Sequence, residues 1–324
     1  MERRGFLADA GLALACAAVP GLARAQAWPS RPIRAITQDG PGGAVDTRLR
    51  EFAPALAEEL KATVVVENRP GAAGQLAHQA VLTQPADGYT ILLANATMTI
   101  VPALYRNLRY NTIRDFTPVA YSGLSPIGLG IPASRPEKTL AEWVAWAKTR
   151  KGTLNYGSGG NGTVQHLYGF QVNEEFDLGA THVPYKSAIQ YLPDLATNQL
   201  QFTMLDIFSQ RPFRERGAVR ILAVTGDERS RFLPDVPTFK ELGYPGYDRM
   251  GWTAYYVKAG TPAPIVERLA AAMNRLSALP EWAARREATW SQWTQLSPAQ
   301  LAERVRHEAD AWAALVKKTG VYAD

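Results

Sequence analysis

Two glycine-rich turns carry the residue types that could hold an anion. The first, Pro41-Gly-Gly-Ala-Val-Asp46, follows the apolar run PIRAIT and precedes an amphipathic segment. Gly40, Gly42 and Gly43 have no Cβ, so backbone N–H groups there can approach a ligand, and a helix starting at this point aims its positive end at the same place. The N–H groups of the Gly42-Gly43-Ala44-Val45 stretch are the candidate donors. The second turn, Gly157-Ser-Gly-Gly-Asn-Gly162, matches G-x-G-x-x-G letter for letter and sits between a strand-like LNY and a helical TVQHLYGFQV. Ser158, Asn161, Gly162 and Thr163 are its candidate ligand contacts.

The second turn invites a dinucleotide, but that fingerprint also needs an acid at the tip of the next strand to hold the ribose, about 20 residues on. Asp177 lies before that strand, and the tip of THVPYK carries Tyr185 and Lys186. The turn therefore reads as a carboxylate cradle, with no cofactor. A periplasmic nucleotide-cofactor-dependent oxidoreductase stands as the alternative from another class. Hydrolase chemistry fails because Tyr156 occupies the place where a G-x-S-x-G elbow needs glycine. His78, His182 and His307 are scattered, no pair has zinc spacing, and no metal is expected. His166 reads as a hydrogen-bonded structural histidine near the site. Two acids remain: Asp46 is expected to tether the first turn of its helix, and Asp206, following LQFTML, reads as a loop-ordering carboxylate unless the resemblance given below places it at a ligand. No catalytic set emerges.

Elements to position these groups follow from periodicity. Val45, Leu49, Phe52, Ala53, Leu56, Ala57 and Leu60 recur at helical spacing, with Pro54 expected to interrupt and kink that helix. Strands are expected near Tyr89–Ala94, Leu200–Leu205 and Arg220–Thr225 with helices between, an alternation that argues for parallel sheets flanked by helices. Thr261-Pro262 reads as a cap with proline in the first turn, and Ser297-Pro-Ala-Gln300 as a capping box. The tryptophans at 282, 290, 293 and 312 read as packing rather than as a stacking platform.

The order of the segments resembles the tripartite tricarboxylate transporter receptor family, the Bug receptors. From about Trp28 onward the chain offers the first turn, PADGYTILLAN, RDFTPVAYSG, NYGSGGNGTVQHL, HVPYKS, LAVTGDERSRFLPDVPTFKELGYPGY and VKAGTPAPIVERL in that family's order. Pro41 to Asp46 match the family signature P-G-G-x-x-D. The resemblance implies an α/β, two-lobe periplasmic-binding-protein-like fold. Each lobe is a mainly parallel sheet flanked by helices, joined by crossover strands, with residues 28–124 and 252–324 in one lobe and 125–251 in the other. It also implies a monomeric solute receptor, not an enzyme, that closes on a small organic acid. Its partner is a membrane permease of the tripartite type or an extracytoplasmic sensor. Asn95, at the end of TILLAN, and Asp206 join the two turns as expected ligand contacts. The chain departs from the family at residues 38–40, Gln-Asp-Gly, where apolar or aromatic residues and prolines are usual, and at Val45, Ser187 and Asn198. Asp39 is thus an extra charge by the ligand. If it enters the cleft, the ligand should be a monocarboxylate or carry an amine or hydroxyl opposite its carboxylate; if it points to solvent, it is an ordinary loop residue.

The front of the chain reads as an export signal over residues 1–25: Arg3 and Arg4, a short apolar run, then Ala23-Arg24-Ala25 as a cleavage site. Paired arginines before x-Phe-Leu fit twin-arginine export, and an ordinary secretory signal fits as well. Cleavage near Ala25 would release the protein to the periplasm with no stable membrane insertion. Cys16, the single cysteine, goes with the signal, unless Ala13-Leu-Ala-Cys16 serves as a lipoprotein box. The formal net charge of +5 is spread along the chain without a basic, aromatic-laced run, so nucleic acid is not an expected partner.

Overall fold

The computed structural model describes residues 28–320 and 322 of the chain, so the expected export signal, with Cys16 and Ala25, lies outside the described residues. The first sheet is laid down by β1 (Ile33–Thr37), β2 (Val64–Asn68), β3 (Thr90–Asn95) and β4 (Phe116–Ser125), with α1 (Ala44–Leu60), α2 (Gln75–Leu82) and α3 (Thr97–Leu104) between them. After Pro126 the chain enters a second sheet through β5 (Ile127–Pro132), α4 (Leu140–Lys148), β6 (Asn155–Ser158), α5 (Val164–Glu175), β7 (Thr181–Pro184), α6 (Ala188–Ala196), β8 (Phe202–Asp206), α7 (Ile207–Glu215) and β9 (Val219–Val224). It returns over residues 225–250 to β10 (Gly251–Lys258) and ends in α8 (Ala263–Ala278), α9 (Pro280–Ala288) and α10 (Pro298–Thr319).

The strand orders are β2-β1-β3-β10-β4 and β7-β6-β8-β5-β9. Each sheet is mixed. β10 runs antiparallel to both of its neighbours in the first, and β5 does the same in the second. These two strands are the ones entered directly from the other sheet, so the reversed direction is a consequence of the crossovers. All other pairings are parallel, as the βα alternation requires. Parallel strands with helical returns present the C-terminal ends of β1, β3, β6 and β8 along one edge, which is where open α/β sheets hold ligands.

α1 buries Val45, Leu49, Phe52, Ala53, Leu56 and Leu60 against the first sheet and α8. It runs unbroken through Pro54, so the expected interruption does not occur. Proline removes only the bond to the carbonyl of exposed Arg50, and water can satisfy that oxygen. The capping box at Ser297 is present, with Gln300 N–H donating to Ser297 Oγ and Ser297 N–H to Gln300 Oε1. The cap at Thr261 is not: its hydroxyl donates to Lys258 O and the helix begins after Pro262. Trp282 and Trp312 are buried, the first edge-on to Phe52 and the second edge-on to Tyr168 of α5. α10 thereby packs on β4 and reaches the second sheet, and one core runs across both through Tyr121, Ile127 and Trp252.

Phe52 ties the binding-site helix to this frame, with its ring 4.8 Å from Trp282 and 5.5 Å from Tyr255. Phe52→Ala should cost about 3–5 kcal/mol, read as a lowered urea midpoint with an unchanged slope.

Candidate ligand-binding site

Both glycine turns sit where the strands end and helices begin, β1 to α1 and β6 to α5. The second reaches across the seam between the sheets to α3. A Cβ on Gly162, whose φ is +78°, would lie 1.8 Å from Leu104 Cδ2 at the end of α3. Only glycine allows that backbone and that approach, so the second turn seats directly on the first lobe.

The first turn is already supplied with anions by its own chain. Val45 N–H donates to Asp39 Oδ2 at 3.0 Å, and Gly42 N–H donates to Asp46 Oδ2 at 2.8 Å. Gly43 N–H is taken by Gly40 O, which leaves Ala44 N–H as the amide of this stretch without a partner. Asp39 does not point freely to solvent, and its carboxylate lies within electrostatic reach of Asp206 on the second sheet. It is half-buried, folded back on the N-terminus of α1, against Gly43, where an added Cβ would meet its Oδ2 at 2.7 Å. Burial, opposed by the bond from Val45 and reinforced by Asp206 and Asp46, pushes its carboxyl up to about 6. Asp46 goes the other way. Burial alone would raise it, but hydrogen bonds from Asn68, Gly42 and Arg50 hold it below the usual range.

The second turn is braced from beneath. Ser158 is fully buried, and its Oγ bonds Gly160 O at 3.0 Å and lies 2.7 Å from His182 Nε2. Thr163 Oγ1 donates to Gly160 O at 2.9 Å and accepts from His166 N–H, capping α5. Both hydroxyls are thus spent inside the loop. Gly162 N–H donates to His166 Nδ1 at 3.0 Å, which fixes the His166 proton on Nε2. His166 stacks on His182 with centroids 3.9 Å apart, so these two histidines are not scattered but paired. Burial pushes them down to about 4 and about 3, and each lies where the neutral form is favoured. Asn161 is exposed at the rim, and the N–H groups of Gly159 and Asn161 have no protein partner.

Asn95 Oδ1 accepts from Gln38 Nε2 at 2.8 Å and from Thr97 N–H, which ties the end of β3 to the residue after β1. Asp206 accepts from Ser209 N–H as the cap of α7 and is near enough to Asp39 and Arg48 to feel both charges. It is thus both a loop-ordering carboxylate and a wall of the seam. The dinucleotide requirement is unmet: Asp177 pairs with Lys151 before β7 begins. No group of three or more metal-binding side chains occurs among the described residues.

A family model described as "Tripartite tricarboxylate transporter family receptor" matches residues 49–321. The chain belongs to this family. The receptor is 30% identical to BugT of Bordetella pertussis over 99% of both chains. It superimposes on a malate-bound protein of Rhodopseudomonas palustris, MatC, with a TM-score of 0.83 at 28% identity, covering 89% of this chain and 99% of that one. An adipate-bound protein from R. palustris gives a TM-score of 0.85 at 29% identity, with 90% and 98% covered. Receptors of this family are periplasmic, and no helix among the described residues is long and apolar enough to cross a membrane.

Sequence patterns missed the His166–His182 stack, because 16 residues and a strand crossing separate the two rings, and they missed Arg48, half-buried on α1 beside Asp206. The titration of Asp39 gives a direct check. A carboxyl whose folded pKa lies above its unfolded value stabilises the fold in its acid form. Its contribution is complete below pH 3.8 and is lost as pH rises through about 6. Asp39→Asn, which can still accept from Val45, should raise stability by about 1–2 kcal/mol at pH 7.5 and confer no gain at pH 4, measured by thermal unfolding across that range. The buried histidines carry the opposite sign, so His182→Gln should blunt the loss of stability seen as pH falls below about 6.

Proposed function

We propose that this receptor captures a small organic carboxylate in the seam between its two lobes and performs no chemistry on it. The observation that carries the reading is that the second turn reaches the first lobe, Gly162 against Leu104 at the end of α3, with the Gly159 and Asn161 amides open on that turn and the Ala44 amide open at the start of α1. Anionic oxygens are the natural acceptors for such amides at helix N-termini. The malate and adipate held by the two relatives support a carboxylate here.

In this reading the ligand docks first on the Gly159–Gly162 turn. Ser158 and Thr163 serve as internal struts that shape the turn, while Asn161 and the open amides make the contacts. On the other lobe, Asp39 and Asp46 occupy two of the four amides of the first turn, so Gly42, Gly43 and Val45 orient the site and Ala44 contributes the free donor. Asn95 and Asp206 border the ligand, and ordered water completes the remaining contacts. Residues 28–124 with 252–324 and residues 125–251 act as the two bodies, pivoting at Pro126 and over 225–250. Closure follows because the seam is complete only when both bodies engage. The closed monomer is then read by a tripartite-type permease or an extracytoplasmic sensor, after an export signal ending near Ala25 has been removed.

Calorimetric titration with malate and adipate, coupled to small-angle scattering, tests the proposal. Binding should shrink the radius of gyration, and incubation should return the acid chemically unchanged. Gly162→Val, whose branched side chain cannot pass Leu104, should weaken binding at least about tenfold and leave the particle extended at saturating acid. Equal scattering from the free and the demonstrably bound protein would refute closure.

A further inference from the structure

At the C-terminal ends of β1 and β3 a short series of polar side chains leads from the edge of the first sheet to the buried ring of His78. Asn95, the last residue of β3, is half-buried, and its Oδ1 accepts from Thr97 N–H at 3.0 Å. A backbone N–H needs an acceptor, so this contact fixes which end of the Asn95 amide is oxygen. Gln38 must then offer its nitrogen to the same atom, and Nε2 lies 2.8 Å from it. With Oδ1 bonded twice, the Asn95 Nδ2 group has no partner among the described residues and keeps contact with solvent.

The oxygen of Gln38 has the opposite surroundings. Gln38 is 8% exposed, and its Oε1 is buried without a hydrogen bond. A Cβ on Gly74, whose φ is +87°, would lie 3.0 Å from this oxygen and 3.3 Å from Nε2 of His78, which is fully buried and likewise without a partner. Glycine lets the amide and the ring share that corner. The other ring nitrogen, His78 Nδ1, lies 3.0 Å from Tyr110 Oη. If Nδ1 held the proton, Nε2 and Gln38 Oε1 would be two buried acceptors in one corner; with Tyr110 donating to Nδ1, Nε2–H is a donor beside an acceptor. Burial pushes the imidazole down to about 3 and so keeps the ring neutral. The polarity of each group is then set, from Tyr110 through His78 and Gln38 to Asn95.

This corner adjoins the second glycine turn, since a Cβ on Gly162 would come 3.9 Å from the Cβ of Ala73, the residue before Gly74. We propose that Gln38, backed by His78, is a positioning residue for ligand capture, holding the Asn95 amide so that Nδ2–H donates to a carboxylate oxygen bound in the seam. The inference rests on the reading that a carboxylate is captured there. Turning the amide over would break both bonds to Oδ1, so the donor is oriented before the ligand arrives and its ordering cost is already met.

Calorimetry with malate and adipate on the wild type, Gln38→Met, Asn95→Ala and the double variant tests this, with NMR of the Asn95 side-chain amide as a second readout. Methionine has the length of glutamine and no donor, so it fills the buried place but cannot hold Asn95. Gln38→Met should weaken the better-bound acid at least about fivefold, and in the Asn95→Ala background it should cost about twofold or less. Additive losses, or an affinity unchanged by Gln38→Met, overturn the positioning role while leaving the receptor reading intact. In the wild type the Asn95 Nδ2 protons should shift on saturation with acid, and in Gln38→Met by less than half as much. Equal shifts in the two proteins, or none in the wild type, also overturn the role, which decides it even where Asn95→Ala binds too weakly to measure. Failure of both acids to bind the wild type overturns the receptor reading and the positioning role with it.

Discussion

A helix begins with backbone N–H groups that its own turns cannot satisfy, and in this protein two such beginnings follow the ends of β1 and β6, one on each sheet. The partners found for those amides govern the rest of the site. At α1 the chain supplies Asp39 and Asp46 as resident acceptors, anchored through Asn68 and Arg50. At α5 it supplies hydroxyls and an imidazole, Thr163 and His166, which are neutral. One side of the seam therefore carries negative charge of its own, and the other keeps its positive helix end uncompensated. That asymmetry decides which lobe is the better home for a ligand carboxylate.

The same asymmetry fixes the demands on the supporting shell. A neutral imidazole must stay neutral to accept from Gly162, and stacking against His182 within a core of Tyr156 and Phe202 keeps water away from it. An ionised Asp39 near Asp206 is costly, and the cost is offset in part by Val45 N–H and by the half-open position that leaves the carboxylate some contact with solvent. Arg48, one turn further along α1, sits close enough to Asp206 to lower the repulsion from the far side. Charge of both signs is thus concentrated around the start of α1.

The two sheets are joined by two covalent connections. The first connection is a lone proline between β4 and β5, where Ile127 exchanges bonds with Thr225 at the start of the second connection. The bridging core is aromatic and continuous through Tyr121 and Trp252, and α10 spans from β4 to Tyr168.

The sequence by itself determined the periodic elements and the two glycine turns. β3, β8 and β9 fall within two residues of the expected runs, α1 buries the expected face, and the Ser297 capping box forms, because hydrophobic period and turn chemistry are local properties of the chain. The mixed direction of β5 and β10 was set by which sheet each strand enters from. What only the tertiary structure decided is how the polar groups pair. Asp39 was legible as an anomaly, but its turn back onto Val45 depends on a backbone path through Gly40 to Gly43 that no spacing rule encodes. The His166–His182 stack and the Gln38–Asn95 pair join residues from distant parts of the chain, and Gly74 reveals its reason only when an amide and an imidazole are seen beside it. Local pattern specifies which face of an element is buried; the partner a charged or polar side chain finds there depends on distances between elements, and those exist only after the sheets have assembled.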